Sequence, residues 1–377
     1  VSEQLLGLME PAYGAGSLAD VMPSVLGALG VPGELNALGL PAAKRYAVLM
    51  LDGLGARLLQ RNAADAPYLA SLLPAARTIT AGVPSTTAVS LTSLGTGLPP
   101  GAHGVVGYSS VVPETGRLLN ALSWDPAVDP RRWQPYPTVF DRAVAAGVAV
   151  RNVSKARFDN SGLTAAAFRG SAHRGADTVQ ERLDATRFAI REGDSALVYV
   201  YDSQIDFTGH GYGCESPQWR DELRAADRFT EQVRAAMPRD AVLLVTADHG
   251  MLDVAPEQRV DIDAEPALSA GLTLVAGESR FRHLYCVPGA EADVLAAYQA
   301  RLGASALVLT RDEAVARGWF GPVEERVAPR IGDVVVATVG PVGLVASRRF
   351  PTEAGLIGVH GSLSADEMAI PLLVDPA

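Results

Sequence analysis

The chain has 377 residues, of which 48% are hydrophobic and 20% charged, with a formal net charge of -10. That length exceeds one compact core of ordinary size, so two domains or one large domain with an insertion are expected, and the apolar content excludes a disordered chain. The acidic balance lacks the basic face of nucleic-acid binders: no nucleic-acid polymer is expected as partner, and an anionic substrate must meet local positive charge from metal ions or a few basic residues.

Cys214 and Cys286 are the only cysteines, which rules out a disulfide framework or a thiolate zinc site and favours two separate buried thiols. The opening stretch VSEQLLGLMEPAYGAG has no basic segment leading into an apolar one, and no apolar run reaches membrane-spanning length. The expected place is the cytoplasm, or a secreted or periplasmic one where a signal peptide has been removed. Oligomeric state stays open.

The first strong element is RYAVLMLDG (Arg45 to Gly53), a near-continuous apolar run of the kind buried on both faces of a parallel sheet, ending at Asp52. VPSTTAVSLTSLGTG (Val83 to Gly97) follows, with seven hydroxyl side chains in fifteen residues. Such a stretch suits a loop or a helix start, because short hydroxyls bond local backbone groups. From about Tyr108 to His173 the chain is rich in Pro, Trp, Arg and Asn, which predicts part of a cap. Asp177 to Gly193 reads as an amphipathic helix stopped by glycine.

SALVYVYD (Ser195 to Asp202) is a second buried strand with an acidic end. Ser216 and Pro217 then read as N-cap and first helical residue, before Trp219, Leu223, Ala226, Phe229, Val233 and Met237 recur at helical spacing. DAVLLVTADHG (Asp240 to Gly250) is a third buried strand, again running into an acid. Residues from about Asp253 to Gly332 mix short strands with a helix around Glu291 to Leu302 and predict the second part of the cap. The expected division is a core of 1–107, 174–252 and 333–377 with cap segments 108–173 and 253–332.

Ligands of open α/β sheets bind outside the carboxyl ends of the strands, so Asp52, Asp202, Asp206 and Asp248 are expected at one edge. Carboxylates gathered there repel unless cations sit among them. Three of the six histidines stand in the same company: His210 four residues after Asp206, His249 next to Asp248, and His360 in GVHGS. Carboxylate and imidazole together are a ligand set for Zn(II) or a similar divalent transition metal.

Taken in order, MLDG at Asp52, PSTT followed by TSLGTG, D-x-x-G-H-x-x-G at Asp206 to Gly213, ADHG at Ala247 to Gly250 and HGS at His360 resemble the alkaline phosphatase superfamily. Within it they most resemble the type I phosphodiesterase / nucleotide pyrophosphatase branch. The resemblance implies an α/β three-layer sandwich with a mostly parallel central sheet and a smaller cap. It implies two Zn(II) ions and a small phosphorylated substrate hydrolysed at a phosphodiester or pyrophosphate bond. Asp206, His210 and His360 are then the ligands of one ion; Asp52, Asp248, His249 and the Thr87 oxygen are those of the other. The nucleophile of the branch stands nine residues before the Thr of a TG dipeptide, which selects Thr87, with Thr86 and Ser85 as rivals, and a covalent phosphothreonine is implied. A helix N-terminus there suits the phosphoryl oxygens.

The chain departs from the branch in two places. Tyr108 stands where an Asn near the phosphoryl oxygens is expected, and Ala88 where an aromatic follows the nucleophile. His103 is expected to be structural and Asp202 to order a ligand or loop. Lys155, Arg157, Phe158 and Arg169 in the cap are the substrate-recognition candidates, offering an aromatic face and cations. A phosphomonoesterase or a phosphonoacetate-hydrolase-like enzyme on the same core is the nearest alternative. A non-catalytic metal-binding protein is the alternative of another class. A dinucleotide-binding turn at LDGLGARLL lacks the third glycine of its motif.

Overall fold

Seven strands, mostly of aliphatic and β-branched residues, build the central sheet of the computed structural model, which describes residues 7–376. Residues 1–6, part of the opening stretch read for a signal segment, lie outside the described residues. The strands are β1 (Arg45–Leu51), β2 (Arg77–Thr80), β3 (Ala149–Ser154), β4 (Ala172–Gly175), β5 (Ala196–Asp202), β6 (Ala241–Thr246) and β7 (Ala369–Asp375), in the order β2-β7-β6-β1-β5-β3-β4. All neighbours are parallel except β7, which runs antiparallel to both β2 and β6. Every residue of β5 and β6 is buried, as expected for strands covered on both faces.

Helices connect the parallel strands. The helix Val179–Ala189 starts on a reciprocal capping box between Thr178 and Glu181. Pro217–Ala236 starts on Ser216, whose hydroxyl accepts from the Trp219 N–H at 3.2 Å. Trp219, Leu223, Phe229 and Val233 are buried along its inner face. Among the described residues, no helix is long and apolar enough to cross a membrane. Both cysteines are free.

A second sheet of four antiparallel strands, in the order Leu272–Glu278, Phe281–Cys286, Val334–Thr338 and Ala306–Thr310, has its own apolar core with the helix Glu291–Leu302. Ser109, in the hairpin Ser109–Val112 and Arg117–Asn120, exchanges hydrogen bonds with Gly277 of this sheet.

The expected division differs from this arrangement at two points. The segment 108–173, read as part of the cap, contributes β3 and the first half of β4 to the central sheet, while Val334–Thr338, assigned to the core, belongs to the smaller sheet. A strand's partners are chosen by non-local pairing, so composition around it does not tell which sheet it joins.

Candidate active site

The carboxyl ends of β1, β5 and β6 lie side by side, because Leu51 pairs with Asp202 and Met50 with Thr246 in parallel register. Asp52 follows β1 directly. Gly53 then turns with φ of +76°, where a Cβ would meet the Asp206 side chain at 2.9 Å, so a glycine lets the two segments approach. Asp206 and His210 share one face of the helix Gln204–Tyr212, four residues apart. Asp248 and His249 follow β6, and His360 follows the short strand Gly358–Val359.

These residues form two clusters, Asp206 with His210 and His360, and Asp52 with Asp248 and His249. In each, one candidate ligand atom per residue lies within 4.8 Å of the others. His210 Nε2 is 3.3 Å and His360 Nε2 3.7 Å from Asp206, while His249 Nε2 is 3.5 Å from Asp52 and 3.3 Å from Asp248. All three Nδ1 atoms face main-chain carbonyls: His210 that of Gly358 at 2.7 Å, His360 that of Ser85 at 3.0 Å and His249 that of Gly250 at 3.1 Å. Nδ1–H donation there leaves each Nε2 lone pair aimed into its cluster.

The electrostatics fit cations. Asp52 Oδ1, Asp206 Oδ1 and Asp248 Oδ2 are buried without a hydrogen-bond partner. Burial, then the charges of Asp248 and Asp206, push the Asp52 carboxyl well above the usual range. Asp206 is also buried, but His210 and His360 hold its carboxyl below that range. Unpaired carboxylate oxygens beside imidazole nitrogens are the donor set a divalent ion such as Zn(II) satisfies. Tyr201 steadies the arrangement by donating its hydroxyl to Asp52.

Of the seven hydroxyls in the Ser/Thr stretch, Thr87 alone lines the adjoining cavity. It is the first residue of the helix Thr87–Thr96, with Thr86 as N-cap, and its Oγ1 lies 3.2 Å from His249 Nε2. Its rivals are engaged elsewhere. Ser85 donates to the Ser362 carbonyl at 2.6 Å, and the Thr86 hydroxyl bonds Glu278. Ser90 donates to the Asp248 carbonyl at 2.7 Å, and Ser93 pairs with His103 at 3.0 Å.

The cavity holds about 560 Å³ and runs from Asp52, Thr87 and Asp206 between Leu91, Phe158, Phe168 and Phe207. Of the cap residues singled out for recognition, Phe158 and Arg157 line this cavity. Lys155 flanks the wall, where its ammonium donates to Gln204 at 2.8 Å and to the cavity residue Ser203 at 3.3 Å. Burial, with the Arg157 charge nearby, lowers its pKa.

Two substrate candidates are not brought to the cavity lining. Arg169 turns back onto its own helix and toward the Tyr136 carbonyl, 3.6 Å from Asp141. Tyr108 bonds Asn120, under the influence of Glu278 and Glu353. The direction of a long or aromatic side chain in an irregular segment depends on partners that spacing does not reveal.

Asp202 pairs with the buried Arg182 at 3.0 Å and accepts from the Gln204 N–H, ordering the start of the Asp206 helix. His103 is fully buried between Ser93 and the Val105 N–H, a structural role. Sequence reasoning missed Asn152, Tyr199 and Tyr201 in the cavity and Glu278, whose carboxyl lies 3.5 Å from His360 Nδ1. The alternation in VYVYD, with two tyrosines on one strand face just before the acidic end, was a usable signal for the tyrosines. Nothing local marks Glu278.

The human ectonucleotide pyrophosphatase/phosphodiesterase family member 7 is 40% identical over 68 residues, 17% of this chain and 15% of that protein, so the chain aligns with only a small part of its length. Murine ectonucleotide pyrophosphatase / phosphodiesterase 5 superposes with a TM-score of 0.70 at 16% identity, over 88% of this chain and 87% of that one. Phosphonoacetate hydrolase from Sinorhizobium meliloti, solved with phosphonoformate, gives 0.69 at 20% identity, over 89% and 90%. Both show the same fold. The family model described as type I phosphodiesterase / nucleotide pyrophosphatase matches residues 46–363, which takes in both ligand clusters and Thr87, and the chain belongs to that family.

Proposed function

We propose that the protein is a two-metal hydrolase of phosphodiester or pyrophosphate bonds that works through a covalent phosphothreonine at Thr87. The observation that carries this reading is the position of Thr87, a cavity-facing hydroxyl at a helix N-terminus, 3.2 Å from His249 where the two ligand clusters adjoin. Asp206, His210 and His360 would hold one Zn(II), and Asp52, Asp248 and His249 with the Thr87 oxygen the other. Bound there, the ions supply the charge that lowers the pKa of the threonine hydroxyl and neutralises the phosphoryl and leaving oxygens.

The chain's own residues do the rest. Thr87 Oγ1 gives up its proton to solvent and forms a bond to phosphorus as the ester P–O bond breaks, and the departing oxygen takes a proton from water. Water then cleaves the threonine ester, returning the hydroxyl and releasing the phosphate product. N–H groups in the first turn of the Thr87 helix, which the helix itself leaves free, favour the phosphoryl oxygens throughout. Tyr201 keeps Asp52 oriented.

A diester reading is favoured over a monoester or phosphonate one by the cavity's charge. Arg157 is the single Lys or Arg among its lining residues, and it is exposed, with its guanidinium 4.9 Å from the centre of the Phe158 ring. The test is turnover of bis-p-nitrophenyl phosphate against p-nitrophenyl phosphate by the zinc-loaded protein. The diester is expected to be the better substrate, with activity lost on chelation. A stronger preference for the monoester, or full activity after chelation, overturns the reading.

A further inference from the structure

We infer that Asn152 and Tyr199 form a recognition pair for the part of the substrate that does not react, and that this arm is uncharged and carries a hydrogen-bonding group. The inference rests on the phosphodiesterase reading above. Asn152 on β3 and Tyr199 on β5 face each other in register, so both side chains leave the sheet on one face. Both line the cavity, at 2% and 1% exposure. Asn152 Oδ1 and the Tyr199 hydroxyl are buried with no hydrogen-bond partner.

Their neighbours on the same face are satisfied. Two residues further along each strand, Ser154 bonds His173 at 2.9 Å and Tyr201 donates to Asp52. Of these two cross-strand pairs only Asn152 and Tyr199 keep unmet capacity, and native interiors rarely leave such atoms unpaired. An amide and a phenol together offer donor and acceptor to a ligand. Burial, with Asp248 and Asp52 nearby, holds the Tyr199 phenol well above its usual pKa, so it stays a neutral donor.

The surroundings define the rest of the arm. The Phe168 ring lies 4.7 Å from that of Tyr199, tilted by 31°, and Phe158 lies 6.0 Å from Tyr201, so the walls are flat and apolar. Arg157 is exposed and Lys155 is held by Gln204, so among the described residues the cavity lining offers the pair no buried Lys or Arg. A carboxylate or second phosphate brought here would lose its hydration without a counter-charge. Tyr201 stands between the pair and Asp52, with its ring 6.4 Å from that of Tyr199, which sets the group one residue pair deeper than the phosphoryl centre.

The experiment compares kcat/KM of the zinc-loaded protein on thymidine 5′-monophosphate p-nitrophenyl ester, p-nitrophenyl phosphorylcholine and bis-p-nitrophenyl phosphate. It adds calorimetric binding of thymidine 5′-monophosphate. The wild type is expected to prefer the thymidine arm. Asn152→Leu and Tyr199→Phe, with thermal unfolding as a check on folding, should each lower the ratio of thymidine to bis-p-nitrophenyl kcat/KM about tenfold or more, mainly through KM. They should also weaken thymidine 5′-monophosphate binding. Preference for the phosphorylcholine arm, or folded variants with an unchanged ratio and unchanged binding, overturns the pair. Absence of turnover on every diester, with binding still lost in the variants, overturns the phosphodiesterase reading and keeps the pair.

Discussion

The imidazoles of His249 and His360, one from each ligand cluster, stack with ring centroids 3.6 Å apart and planes 18° from parallel. Two rings so close cannot both carry a proton at low cost, and burial together with His249 pushes His360 well below its ordinary pKa. His210 behaves oppositely. Burial alone would lower it, but the Asp206 carboxylate outweighs that and raises it to about 9.

On the proposed ligand assignment, ion binding at the Asp206 cluster should displace a proton from His210. Calorimetric titration of zinc into the metal-free protein near pH 7.5, in buffers of different ionisation enthalpy, should show release of about one proton at this site. Zinc content by elemental analysis should fall when the protein is dialysed at pH 5.5 instead of 8. Zinc content independent of pH over that interval contradicts the ligand assignment.

Substitution in the hydroxyl-rich stretch should separate its members. Thr87→Ala is expected to lower diester turnover about a thousandfold or more while leaving the fold and most metal binding intact. Thr87→Ser should keep partial activity, since it retains the oxygen and loses the methyl group that restricts χ1. Thr86→Ala and Ser85→Ala each remove one hydrogen bond, to Glu278 and to the Ser362 carbonyl, and should cost about 0.5–1.5 kcal/mol of stability. Turnover lost in Thr86→Ala and retained in Thr87→Ala would move the nucleophile by one residue.

Arg280 and Glu367 tie the smaller sheet to the segment that carries His360. Both side chains are fully buried, with a two-pronged contact at 3.0 and 2.8 Å, and Glu367 also accepts from the Ser362 N–H at 2.9 Å. Glu367→Ala leaves a buried guanidinium without its counter-charge and should destabilise the protein by about 3–5 kcal/mol in urea unfolding. A loss below about 1 kcal/mol shows that water reaches the pair.

Acid sensitivity should arise partly outside the two carboxylate–histidine clusters. Burial pushes His103 down to about 3 and His283 to about 4, and each ring accepts a main-chain N–H on Nδ1, from Val105 and Gly332. Both are therefore neutral when folded. Their folded pKa values lie below the unfolded value of about 6.5, so the unfolded chain binds more protons between the two. The stability they contribute is complete above about pH 6.5 and lost as pH falls toward 4 and 3. Each should account for about 2–3 kcal/mol between pH 7 and 4.5. His283→Gln is expected to be less stable at pH 7 yet to lose less on acidification, read from urea midpoints of the metal-free protein; equal losses in both proteins would count against it.

Much of this protein was legible in its residues alone. The unbroken apolar runs ending at Asp52, Asp202 and Asp248 require parallel strands buried on both faces, and parallel strands present their carboxyl ends at one edge. Convergence of the acidic residues and histidines follows from local pattern plus that rule. The helices starting at Thr178 and Ser216 carry their own capping residues and were equally readable.

Tertiary structure decided what depends on partners distant in sequence. Short strands such as Ala149–Ser154 and Val334–Thr338 have similar local character, and only pairing across the fold sends the first to the central sheet and the second to the smaller one. Arg169 and Phe158 stand eleven residues apart at either end of one short helical stretch, yet Asp141 and the Tyr136 carbonyl draw the first away while the second lines the cavity. Asn152 and Tyr199 were invisible as a pair because their nearness comes from strand register. Side-chain periodicity reports which faces are buried, whereas register, side-chain direction and unmet hydrogen-bonding capacity are set by contacts that form only when the whole chain has folded.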